Sequence, residues 1–216
     1  MPIIDPGLRS QLAKKLSAEL GGEVRVWLFI SKHKEQCPFC GTVAGLVEEF
    51  CGIDGRLKLF VYDIDDHQKE ARLLGVERVP AILLQGASAT GVYYYGMPTG
   101  YEFGSLVEDV IDLSNSRSRL SDRSREAVQG IESEVDIKVF VTPTCPYCPG
   151  AVRMAHQIAM ENTKVKASMI EATEFSELSE RYGVMGVPKV VINDRVSFEG
   201  AVQEGEFIEH IRRALK

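Results

Sequence analysis

The sequence predicts an α/β protein made of two tandem copies of one unit, each a mixed four-stranded sheet flanked by helices and preceded by an extra leading helix. Three observations carry this reading. Cys37-Pro38-Phe39-Cys40, Gly75 and Pro80 recur as Cys145-Pro146-Tyr147-Cys148, Gly183 and Pro188, each member 108 positions after its counterpart. Strand-like and helix-like apolar periodicities follow one another in the same order in both copies. The 216 residues divide at the repeat into 1–115 and 116–216, each long enough to bury a core of its own.

The leading helix is read over about residues 6–20: Asp5-Pro6 is an N-cap followed by proline in the first turn, and Leu8, Leu12, Leu16 and Leu20 recur every fourth residue. Its counterpart is the stretch near 122–132. Val24, Val26, Leu28 and Ile30 line one face of a strand that also carries Trp27 and Phe29, so both faces are expected to be buried; Ile137 to Val141 repeat it. Each strand runs into a Cys-x-x-Cys and then a helix. On that helix Cys40, Val43, Ala44, Val47 and Cys51 match Cys148, Ala151, Val152, Ala155 and Ala159 as one apolar face. A strand at about 57–64 (165–172) and a helix at about 67–74 (174–182) come next. The Gly-Val-x-x-Val-Pro element then leads into a strand at 81–85 (189–193), a last strand around 92–95 (195–199) and a closing helix at about 101–113 (204–215). The crossover rule makes the first two strands of each unit parallel neighbours, and the short 86–91 connection makes the last two antiparallel.

An apolar fraction of 44% with 26% charged residues is ordinary for a water-soluble globular chain. No apolar run approaches the roughly 18 residues of a membrane span, and the N-terminus lacks a basic region followed by an apolar stretch, so a cytoplasmic protein without a membrane partner is expected. A net charge of −6 gives no reason to expect nucleic acid as partner. Four of the five cysteines sit in Cys-x-x-Cys pairs, which outside a secreted framework point to redox or metal chemistry.

Thiol-disulfide exchange needs a thiolate, and unpaired N–H groups at a helix N-terminus favour that form. Cys37 and Cys145 precede such helices and are the expected nucleophiles. Cys40 and Cys148, one turn further in, are placed to resolve the mixed disulfide intramolecularly. The loop before Cys145 is three residues shorter than the one before Cys37, and Pro149 fixes the first helical turn, so Cys145 is expected to be the more reactive. Lys32, His33 and Lys34 make the other approach basic.

A strand running into Cys-Pro-aromatic-Cys, with a Val-Pro bond 43 residues after the first cysteine, resembles the thioredoxin and glutaredoxin fold. Two fused copies, each with an intact motif, resemble the protein disulfide oxidoreductases of thermophilic archaea and bacteria. The resemblance implies reduction, formation or isomerisation of protein disulfides through redox-active disulfides with no other cofactor. It also implies a thioredoxin-reductase-like flavoprotein as donor. Val79-Pro80 and Val187-Pro188 are implied to be cis bonds beside the cysteines, where the residue before the proline pairs with a substrate strand.

Thioredoxins use a buried acid on the strand before the motif to accept a proton from the resolving cysteine, and this chain has none there. Asp63 and Glu171, on the next strand of each copy, are the candidate acceptors, with a solvated strand-end carboxylate as the alternative; Glu35 is a weaker candidate. His156 aligns with Glu48 and is read as a surface residue, and Cys51 aligns with Ala159 and is read as a small core residue. Two other functions compete. A structural zinc site using all four motif cysteines would leave the repeated Val-Pro elements unexplained. An electron-delivery module of a peroxiredoxin reductase keeps the fold, although one motif of such modules is usually lost.

Overall fold

The computed structural model describes residues 2–33, 35, 37–87, 89 and 91–216. The first half runs α1 (Pro6–Glu19), β1 (Val24–Ile30), α2 (Cys40–Cys51), β2 (Leu57–Asp63), α3 (Gln68–Leu73), β3 (Ala81–Gln85), β4 (Val92–Tyr95) and α4 (Tyr101–Ser114). The second repeats it as α5 (Asp122–Gln129), β5 (Val135–Val141), α6 (Cys148–Glu161), β6 (Val165–Glu171), α7 (Ser176–Arg181), β7 (Lys189–Ile192), β8 (Val196–Glu199) and α8 (Glu204–Ala214).

α1 starts where Asp5 Oδ1 accepts the N–H groups of Gly7 and Leu8 at 2.8 and 3.2 Å, a cap worth about 1 kcal/mol. Leu12, Leu16 and Leu20 bury against the sheet, whereas Leu8, in the first turn, stays 40% exposed at the rim of a groove.

Each half contains the expected mixed four-stranded sheet, β1 parallel to β2 and antiparallel to β3, β5 parallel to β6 and antiparallel to β7. The two sheets are also joined edge to edge: β4 pairs in parallel with β6, giving one eight-stranded sheet of order β2-β1-β3-β4-β6-β5-β7-β8. The physical reason lies in β4, whose Val92, Tyr93, Tyr94 and Tyr95 are all buried and would otherwise form an exposed apolar edge prone to unwanted pairing. Gly91 permits the approach. Its carbonyl accepts the Ala167 N–H at 2.8 Å, and a Cβ there would collide with the Val165 carbonyl oxygen.

Because β4 runs parallel to β1 and to both β5 and β6, the loops that follow β1 and β5 leave the same end of the sheet, so both Cys-x-x-Cys motifs sit there. One face of the sheet is covered by α1, α2, α4, α5, α6 and α8, with Phe50, Leu106, Val110, Val152 and Phe207 in its core. The other carries Phe29, Leu83, Tyr95 and Phe140 beneath α3 and α7. Every fully buried aliphatic or aromatic side chain in these layers contributes about 1.5–3 kcal/mol.

α4 of the first half packs beside α6 of the second through a polar layer. The Tyr94 hydroxyl and the Arg153 guanidinium bond Asp109, His156 Nδ1 lies 2.6 Å from Asp109 Oδ2, and Gln157 Nε2 donates to Asp112 Oδ2 at 2.7 Å. This corrects the reading of His156 as a surface residue: it is fully buried. Its counterpart Glu48 is exposed on α2, but the equivalent face of α6 is covered by α4. Burial first, and the positive charge of Arg153 second, push the imidazole down to about 3, so it is neutral.

Candidate functional site

β5 ends at Val141, and Thr142-Pro143-Thr144 turns the chain so that the Cys145 N–H reaches the Thr142 carbonyl at 3.2 Å. Cys145 and Cys148 form a disulfide with Cα atoms 5.5 Å apart. Cys148 opens α6, and its backbone N–H donates to Cys145 Sγ at 3.2 Å, a helix N-terminal donor aimed at the sulfur where a thiolate would develop. Cys145 is half-buried, whereas Cys148 is fully buried beneath it. On the open side, Cys145 Sγ lies 3.6 Å from the carbonyl oxygen of Val187. The Val187-Pro188 bond is cis, and the Pro188 carbonyl is held by the Gly200 N–H at 2.8 Å.

The first motif has the same plan and a different polarity. Cys37 and Cys40 form a disulfide with Cα atoms 5.4 Å apart, Val79-Pro80 is cis, and Gly96 N–H holds the Pro80 carbonyl at 3.1 Å. Here the backbone donor, Ser31 N–H at 3.2 Å, addresses the second sulfur, that of Cys40. Cys37 is only 2% exposed, so the two sulfurs of this pair do not divide into an accessible and a hidden one. Charged groups surround the loop: Lys32 pairs with Asp66 at 3.0 Å, and His33 lies 3.8 Å from Asp65. Lys34 lies outside the described residues. In both motifs the sulfurs bond to each other, an arrangement that a four-thiolate zinc site does not use.

The structure separates the two strand-end carboxylates. Asp63 is a turn cap: partial desolvation would raise its pKa, but N–H bonds from Lys32 at 2.9 Å, Asp65 at 3.0 Å and Asp66 at 3.4 Å outweigh this and hold it below the usual range. Glu171 is buried, contrary to the solvated alternative, with Oε2 accepting from Thr173 Oγ1 at 2.7 Å and Glu174 N at 2.6 Å. Its Oε1 has no partner among the described residues. Glu35 is exposed. Cys51 is buried in the core and desolvation pushes its thiol up to about 12, which suits a core role and not a thiolate.

A further acid went unnoticed in the sequence. Glu102, in the first turn of α4, is 1% exposed, and neither carboxylate oxygen has a hydrogen-bond partner among the described residues. Desolvation pushes it up to about 7, the nearby Ser105 hydroxyl opposing this only weakly. α4 and α6 run side by side in the same direction: Tyr101 N–H bonds the Pro143 carbonyl at one end, and Arg153 bonds Asp109 and Asp112 further along. Glu102 therefore lies level with the start of α6, where Cys148 sits. The only signal in the sequence was a polar stripe, Glu102, Ser105, Asp109 and Asp112, at intervals of three and four on a helix that otherwise reads as amphipathic. Such a stripe normally faces water.

Comparison with known proteins follows the same lines. The thioredoxin domain family matches residues 135–213. The crystal structure of a protein disulfide oxidoreductase from Aeropyrum pernix k1 is 32% identical and superposes with a TM-score of 0.90, covering 98% of this chain and 94% of that one. The structure of an alkylhydroperoxide reductase (AhpF) from Enterococcus faecalis is 26% identical with a TM-score of 0.87, covering 96% of this chain and 99% of that one. Among curated proteins, an NADH dehydrogenase of Ferdinandcohnia aciditolerans is 22% identical over 97% of this chain, and an alkyl hydroperoxide reductase of Staphylococcus aureus (strain Mu50) is 28% identical over 63% of it. The chain spans 37% and 27% of the length of these two relatives.

Proposed function

The chain belongs to the protein disulfide oxidoreductases, two thioredoxin folds each carrying a redox disulfide, and we propose that its exchange chemistry is led by the second motif with Cys145 as attacking sulfur. The observation that carries this reading is the accessible Cys145 Sγ over a fully buried Cys148, with the Cys148 N–H directed at it. In the reduced protein the Cys145 thiolate attacks one sulfur of a substrate disulfide. An S–S bond forms, the substrate S–S bond breaks, and one substrate thiolate leaves. Cys148 then loses its proton and attacks Cys145 Sγ, closing the Cys145–Cys148 disulfide and releasing the second substrate thiol; two electrons have passed to the substrate. Glu102, poised near neutrality, is the proton acceptor for Cys148, in place of Asp63 and Glu171. The backbone of Val187, and of Val79 at the first motif, pairs with the substrate strand next to the sulfur. Cys37 and Cys40 perform the same exchange from a less accessible position.

Residues 1–115 and 116–216 are the two redox units, and the protein works in the cytoplasm with a thioredoxin-reductase-like flavoprotein as donor. A second reading, an electron-delivery module for a peroxiredoxin-type system, is favoured by the likeness to the alkyl hydroperoxide reductases. The intact first motif is what distinguishes the two: a general oxidoreductase uses both cysteine pairs on protein disulfides. The test is insulin reduction with dithiothreitol, together with iodoacetamide labelling and peptide mapping of reduced single-motif variants. Replacing Cys145 and Cys148 by serine is expected to remove most of the activity, and Cys145 is expected to label faster than Cys37 near neutral pH. Full activity after Cys37→Ser and Cys145→Ser together, or faster labelling of Cys37, would refute the assignment.

A further inference from the structure

Four of the nine large apolar side chains exposed among the described residues gather around Cys145. Tyr147, inside the motif, is 73% exposed, and Met185, two residues before the Val187 carbonyl that faces Cys145 Sγ, is 93% exposed. Tyr101, whose N–H is bonded to Pro143 of the loop before Cys145, is 55% exposed. Leu8 is the fourth, across a groove of about 690 Å³ whose apolar walls are Leu8 and Leu12 of α1, Tyr101 and Phe103 of α4, and Pro146 and Pro149 of the second motif. The charged side chains at the groove's end are already neutralised: Lys15 pairs with Glu108 at 3.0 Å, and Arg153 with Asp109 and Asp112. The first half thus supplies a wall of the second half's redox site. The surroundings of Cys37 differ: Phe39 is exposed there, but Glu77 and Arg78 stand where the second motif has Met185 and Gly186, and the Lys32–Asp66 pair flanks the loop.

We propose that this groove binds an extended, non-native polypeptide with a large aliphatic or aromatic side chain about two to four residues from its disulfide cysteine, given about 3.3 Å of strand per residue. The groove is continuous with the sulfur that the substrate must reach, since Pro146 is the residue after Cys145. A native domain hides its large apolar side chains, so a chain that offers one beside a reachable disulfide is one that has not folded, or has folded wrongly. The Cys145 site therefore selects disulfides of non-native proteins, and the charged Cys37 site lacks that preference. The inference rests on Cys145 being the attacking sulfur.

The test uses two peptides, each with one cysteine in mixed disulfide with 2-nitro-5-thiobenzoate, identical except for Leu or Ser three residues from the cysteine. Full-length protein with Cys37→Ser and Cys40→Ser is expected to show kcat/KM about tenfold higher on the Leu peptide, as burial of one such side chain predicts. Protein with Cys145→Ser and Cys148→Ser is expected to treat the two alike. Adding Leu8→Ser and Met185→Ser, both at exposed positions, is expected to bring the tenfold ratio toward one; because a ratio is read within one variant, loss of folded protein does not mimic this. Equal use of the two peptides by the Cys145 site, or an equal preference at both sites, overturns the proposal. No reaction of either peptide with the Cys145 site overturns the assignment of the attacking sulfur, and the proposal with it.

Discussion

Glu102→Gln keeps the size of a buried side chain and removes its charge, which makes it a direct probe of the acid at the start of α4. Burial raises the folded-state pKa from the ordinary 4.5 to about 7. At about 1.4 kcal/mol per pH unit, ionising this group inside the folded protein costs about 3 kcal/mol more than in the unfolded chain. The sign follows from which state holds the proton. Below about pH 4 both states are protonated and the group contributes no difference. Between about 4.5 and 7 the unfolded chain ionises while the folded protein does not, so wild-type stability falls; above 7 the full cost is present. Relative to wild type, Glu102→Gln is therefore expected to gain about 3 kcal/mol between pH 4 and pH 8. For a chain of this length that is about 6–12 °C in melting temperature. The assay is thermal unfolding of both proteins at a series of pH values, with the amide's own packing effect cancelling because it is the same at every pH. Parallel curves for the two proteins would refute the buried-acid assignment. In rapid-quench experiments near neutral pH the same variant is expected to form the Cys145 mixed disulfide at the wild-type rate and to resolve it more slowly. Equal resolution rates would remove Glu102 from the proton-transfer step.

Two other substitutions test how the halves are joined. Asp109→Asn withdraws the carboxylate that Tyr94, Arg153 and His156 share inside the α4–α6 layer, and leaving Arg153 short of its partner is expected to cost about 3–5 kcal/mol in urea unfolding; a loss below about 1 kcal/mol would contradict the packing described. Gly100→Ala forces a side chain onto a residue at φ 61° and drives its Cβ into the Pro143 carbonyl oxygen. It is expected to displace the loop before Cys145 and cost more than about 1 kcal/mol, slowing insulin reduction by the second motif while sparing the first, as read in single-motif variants.

The sequence by itself determined whatever depends on local spacing. The 108-residue offset fixed the duplication, and Cys37-x-x-Cys40 and Cys145-x-x-Cys148 declared their chemistry because a helix N-terminus and a paired thiol are built within one turn. The order of strands and helices was equally legible, since period-two and period-3.6 patterns reflect which face each element buries. What joins the two units was not. The β4–β6 pairing, the cover that α4 gives to His156, and the placing of Glu102 beside the start of α6 all bring together residues about 45 or more positions apart from different copies of the repeat. Aligning the copies even misled, for it put His156 with exposed Glu48 and looked for the proton acceptor on a strand of the same unit. An internal repeat predicts equivalent environments, and the interface between its copies breaks that equivalence: only one copy of the motif helix has a neighbour's helix laid against it, and that asymmetry gives Cys145 its buried acid and its apolar groove.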